Sequence, residues 1–94
     1  MTRTDTSTLD TTTLPTIPYA PPPLHSDRER LVRAAEHLWR VVDTRERILG
    51  HLRVVADPLG LRYRAERLHL ATGRFRTVGE FWRPDDAVQA LRNS

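Results

Sequence analysis

The sequence predicts an α+β domain: a disordered N-terminal tail, one helix, a three- or four-stranded antiparallel meander, and a short C-terminal helix packed on the sheet. Three observations predict it. The first 24 residues are dominated by Thr and Pro and show no amphipathic period, a composition that buries too little apolar surface to offset chain entropy. Between Trp39 and Trp82, runs rich in Val, Ile, Tyr and Phe are separated by turn residues, as strands require. After Trp82, Pro84, Asp85 and Asp86 open a helical stripe of Ala87, Val88 and Leu91.

Residues 25–94 are then one small domain. A domain of about 70 residues hides only roughly 60% of its unfolded surface, so a partner, a second copy or a ligand would add stability by mass action.

Taken in order, Ser26-Asp27-Arg28-Glu29 matches a capping box ahead of an apolar period. Leu31, Ala35, Leu38 and Val42 recur at helical spacing, which predicts a helix from Asp27 to Leu38. Residues 39–55 read in two ways. Trp39 to Asp43 and Ile48 to Val55 form a hairpin, or the whole stretch continues the first helix as a coiled-coil dimer arm. Gly50 and the pairs Val41-Val42 and Val54-Val55 favour the hairpin, because glycine and β-branched residues weaken helices.

Asp57-Pro58-Leu59-Gly60 is a turn. Beyond it Leu61, Tyr63 and Ala65 point one way, with Arg62, Arg64 and Glu66 pointing the other. The apolar phase then slips to Leu68 and Leu70, which predicts a bulge near Ala65 to Arg67. Ala71 to Arg74 turn the chain, with Gly73 at the left-handed position, and Phe75 to Trp82 form the last strand. Adjacent Phe81 and Trp82 point to opposite faces; Phe81 and Trp39 are assigned to the core.

The composition excludes several chemistries. Cysteine is absent, so there is no disulfide framework and no thiolate. No apolar run approaches the roughly 20 residues that span a bilayer, and the N-terminus lacks the apolar core of a secretory signal; no membrane role is expected, and the cytoplasm is the expected compartment. His25, His37, His51 and His69 have no metal-ligand spacing. Ser7, Ser26 and Ser94 lie in the tail, at a cap and at the end of the sequence, which leaves no credible nucleophile. Asp85 and Asp86 fit helix capping better than acid–base work. So small a domain has little room for a pocket of about 300 Å³. No catalytic residue, metal or cofactor is expected, and the protein is read as a non-enzyme.

Charge is more informative. Net charge is +3, yet all 15 basic residues are Arg and none is Lys. Between residues 60 and 76, five arginines stand against Glu66 alone, a net of +4 on one expected hairpin. Forked, planar Arg suits phosphate and guanine.

From Tyr63 onward the chain resembles the AP2-type DNA-binding domains of plants and the arm-binding domains of phage-type integrases. The residues that carry the resemblance are Tyr63-Arg64-Ala65-Glu66, Gly73 in the turn, Val78-Gly79-Glu80-Phe81, and Asp85-Asp86-Ala87 at the helix start, about 30 residues in all. It implies a three-stranded sheet plus helix laid into a major groove of double-stranded DNA. Arg62 and Arg64 become the base-reading candidates, Arg74 and Arg76 the phosphate contacts, and Arg53 and Arg67 come next. The strand matching the family's base-contacting first strand, ILGHLRVV, offers only Arg53 and His51. Four to six phosphate contacts correspond to a log K against log salt slope of about −4 to −5.

Two functions are therefore expected. One is a small DNA-binding or accessory module that works through the Arg-rich hairpin. The other is a protein-interaction or homodimerisation module, docking through a sheet edge or the helix stripe Leu31, Ala35, Leu38 and Val42.

Overall fold

The computed structural model describes residues 13–94. Five antiparallel strands lie side by side in chain order: β1 Glu29–Ala35, β2 Leu38–Asp43, β3 Ile48–Asp57, β4 Gly60–His69 and β5 Arg74–Phe81. Helix α1, Pro84–Asn93, follows and lies across β3, β4 and β5.

The segment expected to be a helix, Asp27 to Leu38, is instead strand β1, so the meander has five strands rather than three or four. Among the described residues α1 is the one helix. The physical reason is long-range pairing. Leu31 sits opposite Val41 and Val32 opposite Arg40 across a tight turn at Glu36 and His37. That turn holds His37 at φ 64°, a left-handed position with none of the usual Gly, Asn or Asp to signal it. The apparent capping box comes apart as well. Ser26 Oγ accepts from the Arg28 N–H, while Glu29 is buried and held by Arg92 of α1.

The helix stripe falls with the helix. On a strand the side-chain period is two, so Leu31 and Val42 face opposite sides of the sheet. Leu38 and Val42 are buried and Ala35 is exposed. They form no common surface for a dimer.

Residues 39–55 are the hairpin. Trp39 pairs with Leu52 and Val41 with Gly50, and the continuous-helix reading is overturned. Gly50 is required by packing: a Cβ there would stand 2.7 Å from Leu91 Cδ2 and 2.9 Å from the Glu66 carbonyl oxygen. The Asp43 carboxylate accepts the backbone N–H groups of Arg45 and Arg47 and closes the β2–β3 turn. The expected bulge is present between Ala65 and Glu66, but the extra residue lies on the facing strand. Ala65 pairs with Gly79 and Glu66 with Thr77, which leaves Val78 unmatched.

One face of the sheet builds the core. Trp39, Val41, Leu52, Val54 and Ala65 pack against Ala87, Val88 and Leu91 of α1. Leu52 and Leu91 are completely buried, each worth about 2 kcal/mol of apolar transfer. Pro84 stands in the first turn of α1 as expected, with Asp85 and Asp86 beside it.

The tail expected to be disordered spans residues 1–24; residues 1–12 lie outside the described residues. Residues 13–28 run without regular structure along the helix face, beside α1, and place Ile17 and Leu24 against the core. Arg33 of β1 holds this strap. Its guanidinium lies 3.9 Å from the Tyr19 ring on one side and 4.2 Å from the Trp39 ring on the other, and it donates to the Tyr19 carbonyl. At the far end the Asp85 carboxylate accepts the N–H groups of His25 and Ser26 and pairs with the His25 ring. α1 and the strap both lie on the helix face; the opposite, open face carries neither.

Candidate functional site

Strand alternation sorts the six candidate arginines. Arg53, Arg62 and Arg64 share the open face, since Arg64 lies opposite Arg53 and Arg62 opposite Val55. They are interleaved with acid. Arg53 Nε donates to both Glu66 carboxylate oxygens at 3.0 Å, and Arg64 Nε donates to Glu80 Oε2 at 2.9 Å. Arg64 also reaches Glu66 at 3.7 Å. Arg62 Nε is 3.6 Å from Glu80, too long for a hydrogen bond, and its guanidinium stacks over Trp82 at 4.2 Å. The Glu66 side chain is 5% exposed. Like charges opposite one another repel, and Glu66 between Arg53 and Arg64 is what permits them to be neighbours.

The other three point elsewhere. Arg67 is on the helix face, where Nη2 donates to the Leu91 and Ser94 carbonyls and caps the C-terminal end of α1. Arg74 and Arg76 flank the exposed end of the β4–β5 hairpin, opposite His69 and Arg67, with no ion-pair partner among the described residues. The six arginines thus do not converge on one side.

A second feature was not visible as a site in the sequence. Pairing between β3 and β4 ends at His51 and Glu66. Beyond it β3 continues with β2, and β4 with β5, so the sheet parts into two arms. The gap is a cleft of about 430 Å³ lined by Arg40, Ile48, Leu49, Gly50, His51, Arg67, Leu68 and Leu70. A domain of this size does have room for one, because the void lies between strands and costs the core nothing. Its rim is apolar: Ile48 is 57% exposed, Leu70 86%, Leu68 39% and the neighbouring Phe75 38%. Leu68 and Phe75 face each other across β4 and β5. Arg40 beside them is exposed and has no ion-pair partner among the described residues. The slip of apolar phase at Leu68 and Leu70 was the signal in the sequence.

His51 stands in the cleft wall. It is buried, its ring meets Phe75 edge-on with centroids 5.0 Å apart, and its Nδ1 has no hydrogen-bond partner among the described residues. Burial lowers its pKa below the usual histidine value, Arg40 adds to this, and Glu66 opposes it. His69 lies on the other side of the sheet, so the two histidines are not cross-strand neighbours. No three potential metal ligands gather among the described residues. Phe81 packs against the core and Trp39 lies in it, while Trp82 is half exposed under Arg62. Among the described residues no helix is long and apolar enough to cross a membrane.

No protein family, characterised protein or solved structure matches the chain.

Proposed function

We propose that the protein is a non-enzymatic interaction module that docks a protein partner at the cleft where β3 and β4 part. The reading is carried by one observation: three large apolar side chains, Ile48, Leu68 and Leu70, line a single cleft and stand exposed, with exposed Phe75 opposite Leu68. Exposed apolar side chains gathered around a cleft, rather than scattered singly, mark interaction sites. Arg40 at the rim suits a partner that offers an acidic group beside the apolar side chain it inserts. Selection from a random peptide display library on the immobilised protein tests it. Enriched peptides are expected to lose binding at least tenfold to Leu68→Asp, an exposed position whose substitution leaves the core intact. Equal binding to that variant would remove the reading.

Duplex DNA binding is the second reading, favoured by Arg74 and Arg76, which extend from the hairpin end without ion-pair partners among the described residues. The base-reading role for Arg62 and Arg64 is weakened by their engagement with Glu66 and Glu80. Binding of a duplex at two salt concentrations, with Arg74→Ala plus Arg76→Ala as control, decides it. A salt slope that falls by about 2 in the double variant supports DNA; an unchanged slope rejects this contact.

A further inference from the structure

The strap is rich in proline and rests on the core through Ile17 and Leu24. Pro15, Pro18 and Pro21 recur every third residue, and Pro22 and Pro23 follow. Pro15 and Pro22 are half-buried, Pro18, Pro21 and Pro23 are exposed, and the chain bends at Tyr19 and Ala20. Each proline fixes its own φ before any contact forms, which lowers the entropy lost on docking.

The surface beneath has the chemistry that receives such segments. Ile17, Pro18, Ala20 and Pro21–Pro23 lie over Val54, Leu61 and Tyr63. Arg33 sits between the Tyr19 and Trp39 rings and donates to the Tyr19 carbonyl. Proline-rich peptides are taken up elsewhere in grooves of this kind, apolar and aromatic with a donor for a free backbone carbonyl. A void of about 220 Å³ remains beneath the strap. The occupant fills its groove incompletely.

We propose that this groove on the helix face, formed by Arg33, Trp39, Val54, Leu61 and Tyr63, is a binding site for proline-rich extended peptides, with residues 15–23 as its resident ligand. A peptide in trans must displace the strap, whose tethering gives it a high effective concentration. The residual void sets a preference: a peptide with Leu in place of Ala20 fills it and binds more tightly than the chain's own segment.

The test uses the full chain. Tyr19→Gly together with Ile17→Ser loosens the strap and leaves the groove residues untouched. Fluorescein-labelled peptide of residues 13–24 is added and its anisotropy followed. The loosened chain is expected to bind it at least tenfold more tightly than wild type, to prefer it to a scrambled peptide, and to lose it when Arg33→Ala is added. Binding no better than the scrambled peptide overturns the proposal. Amide exchange in the wild-type chain gives a second measurement should the loosened chain unfold. The His25 and Ser26 amides, which donate to Asp85, are expected to exchange at least tenfold faster than those of β3. Exchange at the same rate makes the strap an inseparable part of the fold and overturns the proposal.

Discussion

Arg92, in the last turn of α1, grips Glu29, at the start of β1, through two hydrogen bonds of 2.9 Å each, Nε to Oε2 and Nη2 to Oε1, between residues 63 apart in the chain. The Glu29 side chain is 3% exposed and that of Arg92 is 29% exposed. The pair joins the first strand to the helix, and the Glu29 hydrogen bonds hold the Arg92 pKa above its ordinary value.

Arg92→Ala is expected to destabilise the fold by about 3 kcal/mol, because it leaves a buried carboxylate without a counter-charge. Glu29→Gln should cost less, since Arg92 retains access to water. Glu29→Leu combined with Arg92→Met should recover most of the loss, because apolar replacement of both partners leaves no uncompensated buried charge. Denaturant titration of the three variants measures all of this.

Gly50→Ala is expected to cost about 1–3 kcal/mol. The added methyl group meets Leu91 at 2.7 Å, which can rotate, and the Glu66 carbonyl at 2.9 Å, which cannot. Leu91→Ala in the same chain should relieve only the first contact. Thermal unfolding of the single and double variants separates the two.

Stability should fall with acidity in two stages. The folded His51 pKa lies below the ordinary 6.5, chiefly through burial. The unfolded chain therefore binds its proton first, and stability present above about 6.5 declines as pH falls through the folded value. Asp43 is lowered first by the Arg47 backbone N–H, and Asp85 by the His25 ring. Both contribute stability that is full above the ordinary 3.8 and is lost as pH falls through their folded values. Melting temperature against pH should lose its upper stage in His51→Gln and part of its lower stage in Asp85→Asn.

Glu66→Gln with Glu80→Gln should raise the DNA affinity of the open face. The change leaves Arg53, Arg62 and Arg64 without acidic neighbours. Each arginine freed for a phosphate steepens the salt slope by about 0.9, so duplex binding should steepen by about 2 to 3. An unchanged slope would mean that these guanidiniums point where a duplex cannot reach.

Legibility in the sequence follows the range of the forces involved. Where a local rule decided, the reading was sound: Leu61, Tyr63 and Ala65 alternate inward, Gly73 takes φ 69° in its turn, and Pro84 begins α1. The first helix failed because ERLVRAA carries no strand alternation of its own, and pairing with β2 decides its form. His37, at φ 64°, hides a turn that Gly or Asn would have announced, whereas the turn at Glu46, also at φ 64°, is expected from the hairpin of Trp39–Asp43 and Ile48–Val55. The arginine face was half legible. Alternation put Arg62 and Arg64 together with Glu66, but Glu80 arrives from another strand in a register shifted by Val78. The cleft was least legible, since a sheet that parts between two strands is a property of five strands at once.

The 63-residue span between Arg92 and Glu29 also sets a schedule for synthesis. At about 5 to 20 residues per second, roughly 3 to 12 seconds pass between the emergence of the glutamate and of its arginine. The meander pairs only strands adjacent in the chain, so every strand pairing is local while this contact is not. Throughout that interval Trp39, Val41 and Leu52 have no helix above them. The nascent chain is then a sheet whose helix face stays uncovered until α1 follows.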